Sequence, residues 1–294
     1  MQVPLTGRKL ILAGGVALAL VLVGIFFLLT QQKEIPQPVQ EAPTALSAQT
    51  SVLGRSAGGH AIEVTTYGTG PRRILFVGGI HGGYEWNSVL LAYQVMDYLA
   101  EHPDSVPSYV SVSIIPNANP DGLIAVTGKE GRFTAADAST DAAVLAAGRF
   151  NANDVDLNRN FSCHWQPEST WRNTPVSAGT APFSEPEAKV VRDFVLATDP
   201  VAVIFWHSQG NAVYASECDE GVLLGTLALM NAYATAAKYQ AIESFTAYPI
   251  TGDAEGWLAS IGIPAITVEL SSHTTTEWEK NLAGVTALFK LYGE

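Results

Sequence analysis

Positive charge is scarce in this chain: 16 Lys and Arg stand against 28 Asp and Glu, a formal net charge of −12. Phosphate binding needs clustered Lys and Arg, so a nucleic-acid partner is not expected. Cysteine is scarcer still. Cys163 and Cys218 are the two present, and neither sits in a Cys-x-x-Cys pair. In an exported domain they could form a disulfide closing a loop of about 55 residues, worth at most roughly 4 kcal/mol. Two unpaired thiols are the alternative. Charged residues of both signs make up 15% of the chain, against roughly 25% in an average soluble domain. Internal repeats are absent, and so is any linker-like break after residue 50.

Part of the charge deficit lies in residues 10–30, which carry no charge and are mostly Leu, Val, Ile, Phe, Ala and Gly. At about 1.5 Å rise per residue this stretch spans roughly 30 Å, the thickness of a bilayer's hydrocarbon core. Arg8 and Lys9 precede it, so the short tail should stay cytoplasmic and the remainder be exported. A cleaved signal peptide is the competing reading and would make the protein secreted. Its apolar core is normally shorter, and Phe26-Phe27-Leu28-Leu29 is a poor cleavage context. Residues 1–9 are therefore expected as a cytoplasmic tail and 10–30 as a transmembrane signal anchor. Residues 31–50, with Pro36, Pro38 and Pro43, read as a flexible linker, and 51–294 as one domain, expected to be monomeric.

Within that domain, apolar runs alternate with helical periodicity. Strands are expected over residues 60–67, 74–80, 109–115, 201–206 and 263–269. Helices are expected over 86–99, from the Ser184-Glu-Pro-Glu187 segment to about 197, over 221–238 and over 276–292. Ser184-Glu-Pro-Glu187 reads as a capping box opening the second of these helices. Residues 128–148 look like a surface excursion with some helix, and 161–183 like a long loop. This alternation predicts an α/β fold with a largely parallel sheet and helices on both faces.

The chemistry collects at strand ends. The run Ile74-Leu-Phe-Val-Gly-Gly-Ile-His81-Gly-Gly-Tyr-Glu85-Trp-Asn stops in glycines and then offers an imidazole and a carboxylate. Trp206 gives way to His207, and Val268 to Glu269. Strand ends of one parallel sheet converge, and open α/β folds bind ligands there. Two His and a Glu are the ligand types of a hydrolytic zinc site, which keeps one position for water.

These residues, with Asn119-Pro-Asp-Gly122, Arg149-Phe-Asn-Ala-Asn-Asp-Val-Asp-Leu-Asn158-Arg159-Asn-Phe, Ser184-Glu-Pro-Glu187, Phe205-Trp-His207-Ser-Gln-Gly and Thr267-Val-Glu269-Leu, resemble the zinc carboxypeptidases of the carboxypeptidase A superfamily in their compact bacterial form. The motifs occur in the family's order and span almost all of residues 51–294, which would then be the catalytic domain. The resemblance implies a mixed, largely parallel eight-stranded sheet flanked by helices. It implies one Zn²⁺ held by His81, Glu85 and His207, with Glu269 as general base and Arg149 as oxyanion stabiliser. Asn158 and Arg159 would hold a peptide's free C-terminal carboxylate. Tyr248, or else its neighbour Tyr239, would close over substrate, and Glu255 would lie at the base of the specificity pocket and favour a cationic side chain. An alternative register leaves Glu255 solvated. One departure stands out: the family spacing is His-x-x-Glu, and here it is His-x-x-x-Glu.

The expected activity is zinc-dependent removal of a C-terminal residue from peptides, cell-wall peptides among them, at the outer face of a membrane. A zinc-dependent deacylase of N-acyl amino acids and a non-catalytic peptide-binding protein are the rival expectations.

Overall fold

The computed structural model describes residues 48–293 apart from residue 173. The expected tail, membrane span and most of the linker lie outside the described residues. Among the described residues no helix is long and apolar enough to cross a membrane.

Along the chain come β1 (Gln49–Arg55), β2 (Ala61–Tyr67), β3 (Arg72–Val77), α1 (Trp86–Glu101), β4 (Val110–Ile115), α2 (Pro120–Thr127), α3 (Ala142–Ala147), β5 (Glu168–Trp171), β6 (Thr174–Ser177), α4 (Pro186–Thr198), β7 (Ala202–Ser208), β8 (Ala212–Ala215), β9 (Glu217–Cys218), β10 (Gly221–Val222), α5 (Leu224–Ala237), β11 (Gln240–Ile242), α6 (Ala254–Ser260), β12 (Ala265–Leu270) and α7 (Trp278–Gly293). Eight strands form one sheet in the order β1-β2-β4-β3-β7-β12-β8-β11. The centre, β4-β3-β7-β12, is parallel throughout. Antiparallel pairs flank it, β1 on β2 and β2 on β4 at one side, β8 on β12 at the other. The mixed eight-stranded sheet therefore matches expectation.

The central strands read as unbroken apolar runs because both of their faces are covered. Successive side chains alternate between faces. Ile74 and Phe76 of β3, with Ile204 and Trp206 of β7, pack with α1, α5 and α7. Leu75 and Val77, with Val203 and Phe205, pack with α4 and α6. This alternation decides where the functional side chains go. His207 continues the face of Val203 and Phe205, and β12 carries Thr267 opposite Phe205 and Glu269 opposite His207. His207, Thr267 and Glu269 thus share the face that α6 covers.

Several elements differ from their sequence patterns. β1 starts at Gln49, inside the stretch assigned to the linker, and pairs with β2 from Gln49↔Thr66 onward. The loop over 161–183 contains the antiparallel β5–β6 hairpin. Helix α5 starts at Leu224 because Gly221, at φ +74°, turns the chain and pairs with Cys218. Ser184 forms no capping box. Its hydroxyl donates to Glu185 Oε1 (2.8 Å) and accepts from Asn160 Nδ2 (2.9 Å), while α4 opens at Pro186 with no side-chain cap.

Cys163 and Cys218 form a disulfide, tying the segment after Arg159 to β9. Replacing both by alanine is expected to lower the unfolding free energy by about 2–4 kcal/mol, the upper figure being the chain-entropy value for a loop of this length. Urea denaturation reads the change; equal midpoints for the two proteins would refute it.

Candidate active site

Strand β3 ends at Val77, and the chain turns through Gly78 and Gly79 to His81. A single 3₁₀ turn, Gly82–Glu85, then leads into α1. Gly82 has φ +47° and lies against Gly148 and Gly122, and a Cβ on Gly83 would strike Val126. Glycines at both positions let this turn sink between α2 and Gly148. The outcome is that His81, Glu85 and His207 all remain buried, with one ligand atom of each within 4.8 Å of the others.

Charge partners surround this trio. His207 Nδ1 lies 3.1 Å from Glu85 Oε2, and its Nε2 lies 3.2 Å from Glu255 Oε1. The Ser208 backbone N–H donates to Glu85 Oε2 (3.1 Å). Arg149 donates from Nε to Asp156 Oδ2 (2.9 Å), brings Nη1 to 3.8 Å from Glu85 Oε1 and lays its guanidinium over Trp171. Asp156 also approaches His81 Nδ1, at 3.5 Å, and caps the turn that carries Asn158 and Arg159.

Asn158 is fixed by accepting from the Ala254 backbone N–H (2.8 Å) and donating to Glu255 Oε2 (3.3 Å). Arg159 gives Nε and Nη2 to the Thr170 carbonyl and Nη1 to that of Asn158. With five N–H groups in all, its guanidinium keeps two more to offer. A cavity of about 570 Å³ is lined by the trio and by Arg149, Asn158, Arg159, Tyr248, Glu255 and Glu269. Tyr248 is half-buried and packs edge-on against Phe245. Tyr239 is elsewhere, buried and bonded through its hydroxyl to Glu277. Every residue singled out from the sequence therefore borders one cavity, except the alternative Tyr239.

Burial opposes a charge on His207, but Glu85 and Glu255 outweigh it and hold its pKa well above the usual imidazole value. His81 goes the other way, pushed well down by burial and then by the Arg149 and His207 charges. Burial, followed by the Glu85 charge, raises Glu269 to about 7. Burial and then Glu255 raise Asp253, the cap of α6, to about 6.

The family model of zinc carboxypeptidases matches residues 39–282. The chain belongs to this family. Among curated relatives, gamma-D-glutamyl-L-diamino acid endopeptidase 1 of Lysinibacillus sphaericus is 25% identical over 77% of this chain and 61% of its own. Carboxypeptidase B of Astacus astacus is 33% identical over 49% of this chain and 48% of its own. The chain thus spans about half to three fifths of these relatives' lengths. Bovine thrombin-activatable fibrinolysis inhibitor shares the fold, with TM-score 0.65 and 19% identity over 84% of this chain and 90% of the other. So does murein-tripeptide amidase MpaA of Escherichia coli O157, at 0.57 and 21% over 83% and 92%.

The zinc that the family implies fits the residues present. Two imidazoles and a carboxylate converge, and His81 Nδ1 and Glu269 Oε2 are buried without a hydrogen-bond partner. A zinc carboxypeptidase of this pattern uses three protein ligands of these types.

Some neighbours of the site escape a reading by strand ends. Asp156 stands inside a recognised motif, two residues before Asn158, yet a lone carboxylate before a turn gives no sign that it serves Arg149 and His81 together. His273 bonds Ser208 Oγ through Nδ1 (2.7 Å) and packs on Tyr84; its loop after β12 carries no pattern at all.

Glu85 and Glu255 favour the charged form of His207, so zinc is expected to displace a proton from it on binding. Titration calorimetry near pH 7 in buffers of different ionisation enthalpy is expected to report at least one proton released per zinc. Zinc affinity should rise with pH until the His207 pKa is passed. Binding without proton release would contradict the charged His207.

Proposed function

We propose that this protein is an extracytoplasmic zinc metallocarboxypeptidase that removes the C-terminal residue of peptides. The observation that carries the proposal is the meeting, around one cavity, of a ligand trio, a partnerless carboxylate at Glu269, and the Arg149, Asn158 and Arg159 donors. When bound, zinc supplies Lewis-acid activation of the scissile carbonyl and of water.

The remaining work falls to the chain. Glu269, raised to about 7, is suited to take a proton near neutral pH and to return it to the leaving amine. Arg149 is pinned by Asp156 through Nε, which leaves its terminal nitrogens for charge developing on the carbonyl oxygen. Arg159, with two N–H groups to spare, and Asn158 would hold the terminal carboxylate, and Tyr248 on the cavity wall would cover the bound residue.

The wall also carries Asp253 and Glu217, whose carboxylates favour a cationic C-terminal residue such as Lys, Arg or a diamino acid. A relative named for a diamino acid and a fold neighbour named for murein tripeptide make cell-wall peptides a substrate class to test. The apolar, charge-free residues 10–30 support placement at the outer face of a membrane.

A panel of peptides ending in Lys, Arg, Leu or a C-terminal amide, together with a γ-glutamyl diamino acid, tests the proposal. Release of Lys or of the diamino acid is expected to exceed release of Leu, with none from the amide. Glu269→Gln is expected to lower kcat by about 10²- to 10⁴-fold, and Arg159→Ala to act mainly on KM. Equal turnover of amide and free acid would overturn the carboxylate clamp. Activity confined to N-acyl amino acids would identify a deacylase, and zinc binding without turnover of anything a pseudoenzyme.

A further inference from the structure

Glu255 is buried at the first turn of α6, with 3% of its surface exposed. A carboxylate that read a substrate cation directly would present a free oxygen to the cavity. Both oxygens of Glu255 are instead engaged within the protein. Oε1 accepts from Thr267 Oγ1 (2.9 Å) and lies 3.2 Å from His207 Nε2, and Oε2 accepts from Asn158 Nδ2 (3.3 Å).

The sheet explains the placement. His207 and Thr267 project from the face that α6 covers, and Asp253 caps that helix by accepting from the Gly256 N–H. Glu255 is therefore set down over both side chains. The Asn158 amide cannot turn away, because its oxygen is taken by the Ala254 N–H. Its Nδ2 must face Glu255.

From this we infer that Glu255 is a positioning residue that joins the metal ligand His207 to the carboxylate clamp at Asn158. The inference rests on the proposed roles of those two residues. By accepting Nε2–H, Glu255 fixes the His207 tautomer and leaves Nδ1, on the Glu85 side, as the atom with a lone pair for a metal. The same carboxylate holds the Asn158 amide in place. One side chain thus sets the metal end and the substrate end of the cavity together. Choice among substrate side chains passes to Asp253, whose carboxylate also lines the cavity.

Zinc affinity measured by chelator competition, with no substrate present, tests the inference. Removing a hydrogen-bond partner of a metal ligand costs about 10- to 100-fold in affinity. Glu255→Ala is expected near the upper end. Glu255→Gln, which keeps an acceptor for Nε2–H, is expected to be partly rescued, at about tenfold. The absorption bands of the cobalt-loaded protein should shift in both variants, while the melting temperature of the metal-free Gln variant stays close to that of the unaltered chain. Asp253→Asn should alter the preference for C-terminal Lys over Leu and leave zinc affinity within twofold.

Zinc affinity within twofold of the unaltered chain in Glu255→Gln, with the cobalt bands unmoved, overturns the inference, and this variant decides if the alanine variant does not fold. A chain that binds no zinc overturns it as well. Failure of the carboxypeptidase reading looks different: zinc affinities would rank as stated, but no peptide would lose its last residue.

Discussion

The interaction on which the site depends is the mutual neutralisation of charges buried at the carboxyl edge of the sheet. A buried charge without a partner is costly, and removing one member of a buried pair leaves the other stranded. Here the pairs form a chain. Glu255 faces His207, His207 faces Glu85, Glu85 is approached by Arg149, and Arg149 is bonded to Asp156, which reaches back toward His81. Carboxylates are in excess. Glu85, Asp156, Glu255 and Glu269 surround Arg149 and His207, and Glu269 Oε2 is left over, its group raised to about 7. A dication at His81, Glu85 and His207 would supply the missing positive charge at the point where the excess lies.

The fold brings these groups together without any one segment carrying the site. Parallel strands β3, β7 and β12 end side by side, so His81, His207 and Glu269 converge although they lie far apart in sequence. The two-residue period puts His207, Thr267 and Glu269 on the same face, and α6 closes that face with Glu255. Packing and chemistry are linked here: the apolar partners of α6, Trp257 and Leu258, seat in the core below and so fix the height of Glu255 over His207.

Much of this was legible in the sequence because buried parallel strands are unbroken apolar runs and their polar successors are conspicuous. His81, His207 and Glu269 stand out for that reason, Glu85 follows His81 in the same glycine-rich turn, and Arg149, Asn158 and Arg159 follow from the family resemblance. The elements missed are those whose pattern is weak. β8 is four residues and β11 three, too short for periodicity to register. The β5–β6 hairpin lies in a stretch of Ser, Thr, Pro and Trp that resembles a loop, and it is stabilised by pairing rather than by an apolar stripe. The bonding of Glu255 was illegible for another reason. Its neighbours come from β7, β12 and the turn at Asn158, and only the register of the sheet determines that they meet.

This charge cluster is expected to hold one zinc through His81, Glu85 and His207. Native mass spectrometry of the zinc-loaded chain, beside its His81→Ala and His207→Ala variants, tests it most directly. One zinc per chain is expected, lost from both variants under the same conditions. Retention of the ion in either variant, or no ion bound by the unaltered chain, would rule out a zinc site at these three residues.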